Sequence, residues 1–173
     1  PSPPKLNEFF LVDKDNLPFT LDDLKERWSI IFFGFANCPD ICPSTLMEMS
    51  KAEIKLRAMP EFGNSGQLIF ISVDPERDSP TVLKTYTSHF SSNLRAASGS
   101  QEELRILAKS VGAIFLINSH DDHNHSYSVD HSAGIFFVSP DATLFSVLTP
   151  PIVDTTILDR MTNVLKAYQI FKP

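Results

Sequence analysis

Only two cysteines occur in the 173 residues, Cys38 and Cys42. That scarcity excludes a disulfide-stapled scaffold, in which many cysteines substitute for a core. No apolar run approaches the roughly 18–20 residues that a bilayer-spanning helix needs, and no signal peptide is legible. Positive charge is in deficit: 15 Lys and Arg against 21 Asp and Glu leave a net charge of -6. A nucleic-acid binder needs a basic face, so that partner class is excluded, while a basic protein or a cationic ligand stays open. Internal repeats and long low-complexity stretches are also missing. A single domain over residues 1–173 is therefore expected, large enough to bury a substantial core. The chain opens Pro1-Ser2-Pro3-Pro4 without an initiator methionine, which reads as a processed protein or a soluble piece of one, compatible with removal of an upstream anchor.

What is present is an ordinary apolar content of 42%, with 14 phenylalanines to fill the core with rings. Phe9–Val12 reads as a strand, followed by the polar turn 13–16 and a returning edge at Pro18–Thr20, with Thr20 capping a short turn over 21–24. Ser29–Phe35 is continuously apolar, as a strand covered on both faces requires. A helix is predicted over 44–59, with Leu46, Met49, Ile54 and Leu56 on its apolar face. A second buried strand follows at 68–73. Ser79 and Pro80 start a helix running to about Phe90, and Ser100 starts another through about Val111. Ala113–Ile117 is a short strand and 118–128 a polar, histidine-laden loop. Strands at 134–138 and 143–148 form a hairpin, and 153–170 the closing helix. This order predicts an α/β, thioredoxin-like fold: a central mixed sheet flanked by helices, with one antiparallel edge pair and an N-terminal β-hairpin.

The cysteines stand directly after the first buried strand, in Cys38-Pro39-Asp40-Ile41-Cys42-Pro43. Proline is tolerated in a first helical turn, and the residue before it avoids helical geometry, so Cys42 is expected as the helix N-cap. The helix dipole there would favour thiolate, which is both nucleophile and metal ligand. One helical turn separates the α-carbons by about 6 Å, within disulfide range, so the pair suits either a disulfide or chelation of one ion. The C-x-x-x-C spacing departs from the C-x-x-C of ordinary disulfide exchangers. Soft thiolates select Cu(I) or zinc, and an added imidazole suits copper in either oxidation state. His131 precedes an apolar run, where it is either a packed loop-end residue or a third ligand. His120, His123 and His125 form H-x-x-H-x-H, read as a secondary metal site or as a hydrophilic loop. His89, near a helix end, reads as a surface residue bonded to helix-end carbonyls.

Three segments together resemble the Sco/SenC family of copper chaperones: Phe33 to Pro43, Ser72 to Asp78, and Val129-Asp130-His131-Ser132. The resemblance implies a thioredoxin fold binding copper, as Cu(I) or Cu(II), through Cys38, Cys42 and His131. It implies delivery of that copper to the CuA site of cytochrome c oxidase subunit II, in company with other copper-delivery proteins. It also implies a membrane tether through an N-terminal anchor. The compartment expected is the bacterial periplasm at the inner membrane, with the mitochondrial intermembrane space as the alternative. Because no substrate bond need be made or broken, the protein is not classed outright as an enzyme. The rival reading is a thiol-disulfide oxidoreductase that reduces the CuA-site cysteines, with Cys38 as nucleophile and Cys42 as resolving thiol. A copper or redox sensor is a further alternative, and a peroxiredoxin-like peroxidase is disfavoured by the missing Thr-x-x-Cys setting. Asn16 replaces the usual hairpin glycine, Ala36-Asn37 stand where bulkier or hydroxyl-bearing residues are frequent, and the histidine-rich loop is not a general family feature. The segment 74–78 is read as mainly structural.

Overall fold

In the computed structural model the described residues are 3–118, 128–131 and 133–171. An N-terminal hairpin of β1 (Phe10–Asp13) and β2 (Pro18–Thr20) turns through Asn16, which takes φ 62 in the glycine-like region its side chain tolerates. A 3-10 turn follows at Leu21–Leu24, where the Asp23 carboxylate accepts from the Thr20 amide at 2.8 Å. Next come β3 (Ser29–Gly34), α1 (Ile41–Arg57), β4 (Gln67–Ser72), α2 (Pro80–Ser88), β5 (Arg95–Ser98) and α3 (Gln101–Val111). The chain then forms β6 (Phe115–Asn118), β7 (Ser128–His131), β8 (Ile135–Val138), β9 (Leu144–Leu148) and α4 (Asp154–Phe171).

Seven strands form one sheet in the order β2-β1-β5-β4-β3-β8-β9. The central three, β5, β4 and β3, run parallel, and antiparallel pairs close both edges. The expected mixed thioredoxin-like sheet is therefore present, with one correction: the N-terminal hairpin is itself the second antiparallel edge. A separate two-stranded ribbon pairs β6 with β7. No helix among the described residues is long and apolar enough to cross a membrane.

Alternation along β3 and β4 splits the core into two layers. Ile31, Phe33, Ile69 and Ile71 face one side, where Leu104 and Leu107 of α3 pack. Ile30, Phe32, Leu68 and Phe70 face the other, against Leu46 and Met49 of α1, Leu83 of α2 and Ile157 and Met161 of α4. Ser79 and Ser100 cap α2 and α3, accepting from Val82 and Glu103 amides at 3.2 and 3.3 Å.

Three expectations fail locally. Ile54 is 82% exposed, because the buried stripe of α1 runs through Cys42, Thr45, Leu46, Met49, Ala52, Glu53 and Leu56. Glu53 takes the inward position by bonding Arg57 at 2.9 Å and Ser91 at 2.6 Å, which satisfies its buried charge. Strand β5 carries Arg-Ala-Ala-Ser, too small and polar to register as a strand, and is held by partners on both sides. His131 precedes β8 as expected, but it also lies within β7, a strand that the sequence reading did not include.

Candidate metal centre

Helix α1 begins earlier than the prolines suggest. Asp40 is its N-cap, so Cys42 is the second helical residue and Pro43 the third. The expected N-cap position of Cys42 is thus corrected. The packing of its sulfur accounts for the difference: Cys42 is fully buried, and its Sγ rests against the α-carbon of Gly34 at the end of β3. A Cβ on Gly34 would stand 2.6 Å from that sulfur and 2.8 Å from Phe70 Cε2. The backbone of β3 therefore forms a notch only glycine leaves open.

Cys38 sits on the preceding loop, where its amide donates to the Phe35 carbonyl at 3.2 Å. It is partly exposed and packs against both core layers, at the boundary where the sheet ends. Both residues stand as thiols with their sulfurs adjacent, Cys38 hydrogen-bonding Cys42. Burial pushes the Cys42 thiol well above its ordinary range. A backbone hydrogen bond at Phe35 works the other way, while Cys38 and the charge of Asp78 add to the rise. The helix-end dipole does not make Cys42 a thiolate, because desolvation outweighs it. A cation held between the sulfurs would supply the missing counter-charge.

A pH dependence follows from that rise. An unfolded thiol loses its proton near its ordinary value of 9.0, while folded Cys42 keeps it. The stabilising contribution is complete below that pH and is lost as pH rises toward the folded value. Chemical denaturation of the reduced, metal-free protein is expected to show stability falling above pH 9 by up to about 1.4 kcal/mol per pH unit. Cys42→Ala should remove most of that slope.

The segment after β4 supports the cysteine loop from behind. Asp78 is buried, and its Oδ2 accepts from the Ala36 amide at 2.8 Å and the Ser72 hydroxyl at 2.6 Å. Burial raises its carboxyl above the usual range, partly offset by those two bonds. Buried Asp74 pairs with Arg77, whose guanidinium lies 6.0 Å over the Phe35 ring. The reading of 74–78 as structural is sharpened here, since one carboxylate directly anchors the turn bearing Cys38. Asp78→Ala leaves the Ala36 donor and the Ser72 hydroxyl without this acceptor, a cost of about 1–3 kcal/mol per buried group. Asp78→Asn keeps an acceptor oxygen and should retain most of the stability, as thermal melts of both variants would show.

His131 enters from the ribbon. Its backbone register places it opposite Phe115, and Phe115 packs against the core layer that Cys38 also touches. His120, His123 and His125 lie outside the described residues. Among the described residues no group of three or more His, Cys, Asp or Glu side chains stands ready to hold an ion. His89 behaves as expected, with Nδ1 3.2 Å from the Tyr86 carbonyl. Sequence reasoning missed Gly34 and the anchoring role of Asp78. A glycine ending a bulky run before a cysteine was the legible signal for the first.

Comparison with known proteins agrees with this architecture. The SCO1/SenC family description matches residues 2–166. A protein of Stutzerimonas stutzeri called a putative copper-binding protein is 40% identical over 142 residues, covering 82% of this chain and 68% of its own. Protein SCO1, mitochondrial, of Saccharomyces cerevisiae is 33% identical across 92% of this chain. This chain spans only about half of that yeast protein, 54% of its length. The crystal structure of yeast Sco1 with copper bound superposes with a TM-score of 0.85 at 32% identity, covering 100% of this chain and 96% of that one. A buried strand ending in a glycine notch, two thiols at the helix start behind it, and a family match over nearly all residues lead to one assignment: this chain belongs to the SCO1/SenC family.

Proposed function

We propose that the protein is a copper metallochaperone of cytochrome c oxidase assembly, holding copper through Cys38, Cys42 and His131 and passing it to the CuA site of subunit II. The observation that carries this reading is the adjacent pair of thiols at the sheet's end, one buried in the Gly34 notch and one on an accessible loop. Two sulfurs and an imidazole form a donor set that suits copper in both oxidation states. The name of the Stutzerimonas relative and the copper-bound structures of yeast and Arabidopsis relatives support the choice of metal. Here copper is cargo. Transfer proceeds by ligand exchange: an incoming thiolate of the partner displaces Cys38, the more accessible sulfur, and the buried Cys42 releases last. The compartment proposed is the periplasmic face of a bacterial inner membrane, with an anchor upstream; the 40% identity to a bacterial relative supports the bacterial setting alone. The intermembrane space of mitochondria is the alternative, supported by the yeast relative's name.

The partial exposure of Cys38 beside buried Cys42 also favours a second reading, thiol-disulfide exchange. Cys38 thiolate would attack a partner disulfide, Cys42 would resolve the mixed disulfide, and two electrons would pass to the partner. Mixing copper-loaded protein with the metal-free, fully reduced CuA domain of subunit II separates the two. The chaperone reading predicts growth of CuA absorption, and failure in a His131→Ala variant loaded with Cu(II). If metal-free protein merely reduces an oxidised CuA domain, and that domain takes copper only from other sources, the second reading replaces the first.

A further inference from the structure

Tyr86, on α2, has a buried hydroxyl with no hydrogen-bond partner among the described residues. A buried orphan of this kind costs about 1–3 kcal/mol, so its retention calls for a reason. Its surroundings locate one. The Tyr86 ring stands 5.6 Å from the ring of Phe70. Phe70 Cε2 and Cys42 Sγ both crowd the place where a Cβ on Gly34 would stand, 2.8 and 2.6 Å from it. Cys38 and Tyr86 both pack against the core layer that contains Cys42.

We infer that Tyr86 is a positioning residue for the metal centre, a donor held in reserve whose hydroxyl turns to the sulfur pair when the sulfurs become charged on binding copper. This rests on the copper reading above. In the reduced thiol state the sulfurs need no further donor and the phenol is left over. Once both are thiolates around a cation, a buried O–H turned toward them would make a charge-assisted bond, which is stronger than a neutral one. The other acceptor within the field, Asp78, already takes two donors on Oδ2.

A hydrogen bond to thiolate draws electron density off sulfur, which weakens donation to Cu(II) more than to Cu(I). Tyr86 would thus tilt the site toward Cu(I), the form that two thiolates hold at low coordination.

Tyr86→Phe tests this, since it removes one oxygen and leaves the ring packing. In the Cu(II) complex the thiolate-to-copper absorption band is expected to move to longer wavelength. The ratio of Cu(II) to Cu(I) affinity, measured by chelator competition, should rise about tenfold. The metal-free reduced variant should melt at or above the parent temperature, because an unpaired buried hydroxyl has been removed. A metal-free variant that melts lower means the hydroxyl is already bonded, to Asp78 or water, and overturns the inference. So does a parent band that the variant leaves in place. A parent that shows no thiolate-to-copper band overturns the copper reading itself, and this inference with it.

Discussion

His131→Ala is expected to lower Cu(II) affinity by about two orders of magnitude or more, while Cu(I) affinity falls far less. The asymmetry follows from the proposed ligand set of Cys38, Cys42 and His131. Cu(I) is soft and is satisfied by two thiolates, so Cys38 and Cys42 hold most of its binding energy. Cu(II) takes more donors and gains from an imidazole, so removing one of three protein ligands costs it more. Chelator competition with each oxidation state measures both numbers on one variant. His131 lies on β7, which among the described residues pairs with β6 and not with the main sheet, so the substitution leaves that sheet untouched. Cys38→Ser and Cys42→Ser should abolish tight binding of both forms. An alanine at 131 that keeps parental Cu(II) affinity would remove His131 from the ligand set and return it to strand packing.

Gly34→Ala should destabilise the reduced protein by about 1–3 kcal/mol, the usual cost of overfilling a packed core. It should also weaken copper binding. The added methyl would stand 2.6 Å from Cys42 Sγ and 2.8 Å from Phe70 Cε2. The sulfur must move, and it is the buried member of the pair. A double-mutant cycle isolates that contact. In the Cys42→Ala background the sulfur is gone, and Gly34→Ala should cost less, with a coupling of about 0.5–3 kcal/mol. Denaturant midpoints of the four proteins give the coupling. Strictly additive effects would mean that Phe70, and not the sulfur, bears the clash.

Most of the fold was legible because its elements are strongly patterned. The runs at β3 and β4 are continuously apolar, and Ser79-Pro80 and Ser100 mark helix starts through local hydrogen bonding alone. The failures share a cause in tertiary contacts that sequence patterns do not encode. Strand β5 is held by neighbours on both sides and needs no β-branched residue of its own. The phase of α1 was misread because Glu53 lies inward, which only the Arg57 and Ser91 contacts permit. Cys42 is helical despite the following proline because its sulfur is seated in the Gly34 notch. At the site, the adjacent cysteine pair was readable from its place directly after β3, while the ligand set of Cys38, Cys42 and His131 stays what the resemblance implies. The anchoring of the Cys38 loop by Asp78 was not, since 42 positions separate the carboxylate from the amide it receives. Nor was the burial that keeps Cys42 protonated, where local reasoning from the helix dipole gave the opposite sign.

The most direct test of the central claim is an anaerobic copper titration of the fully reduced protein, following thiolate-to-Cu(II) absorption together with the thiols that remain reactive. The account predicts saturation at one tightly held copper per chain, with Cys38 and Cys42 both protected and a stable charge-transfer band. Rapid loss of both thiols to a disulfide, with no stable coloured complex, would contradict it and make the pair a redox couple.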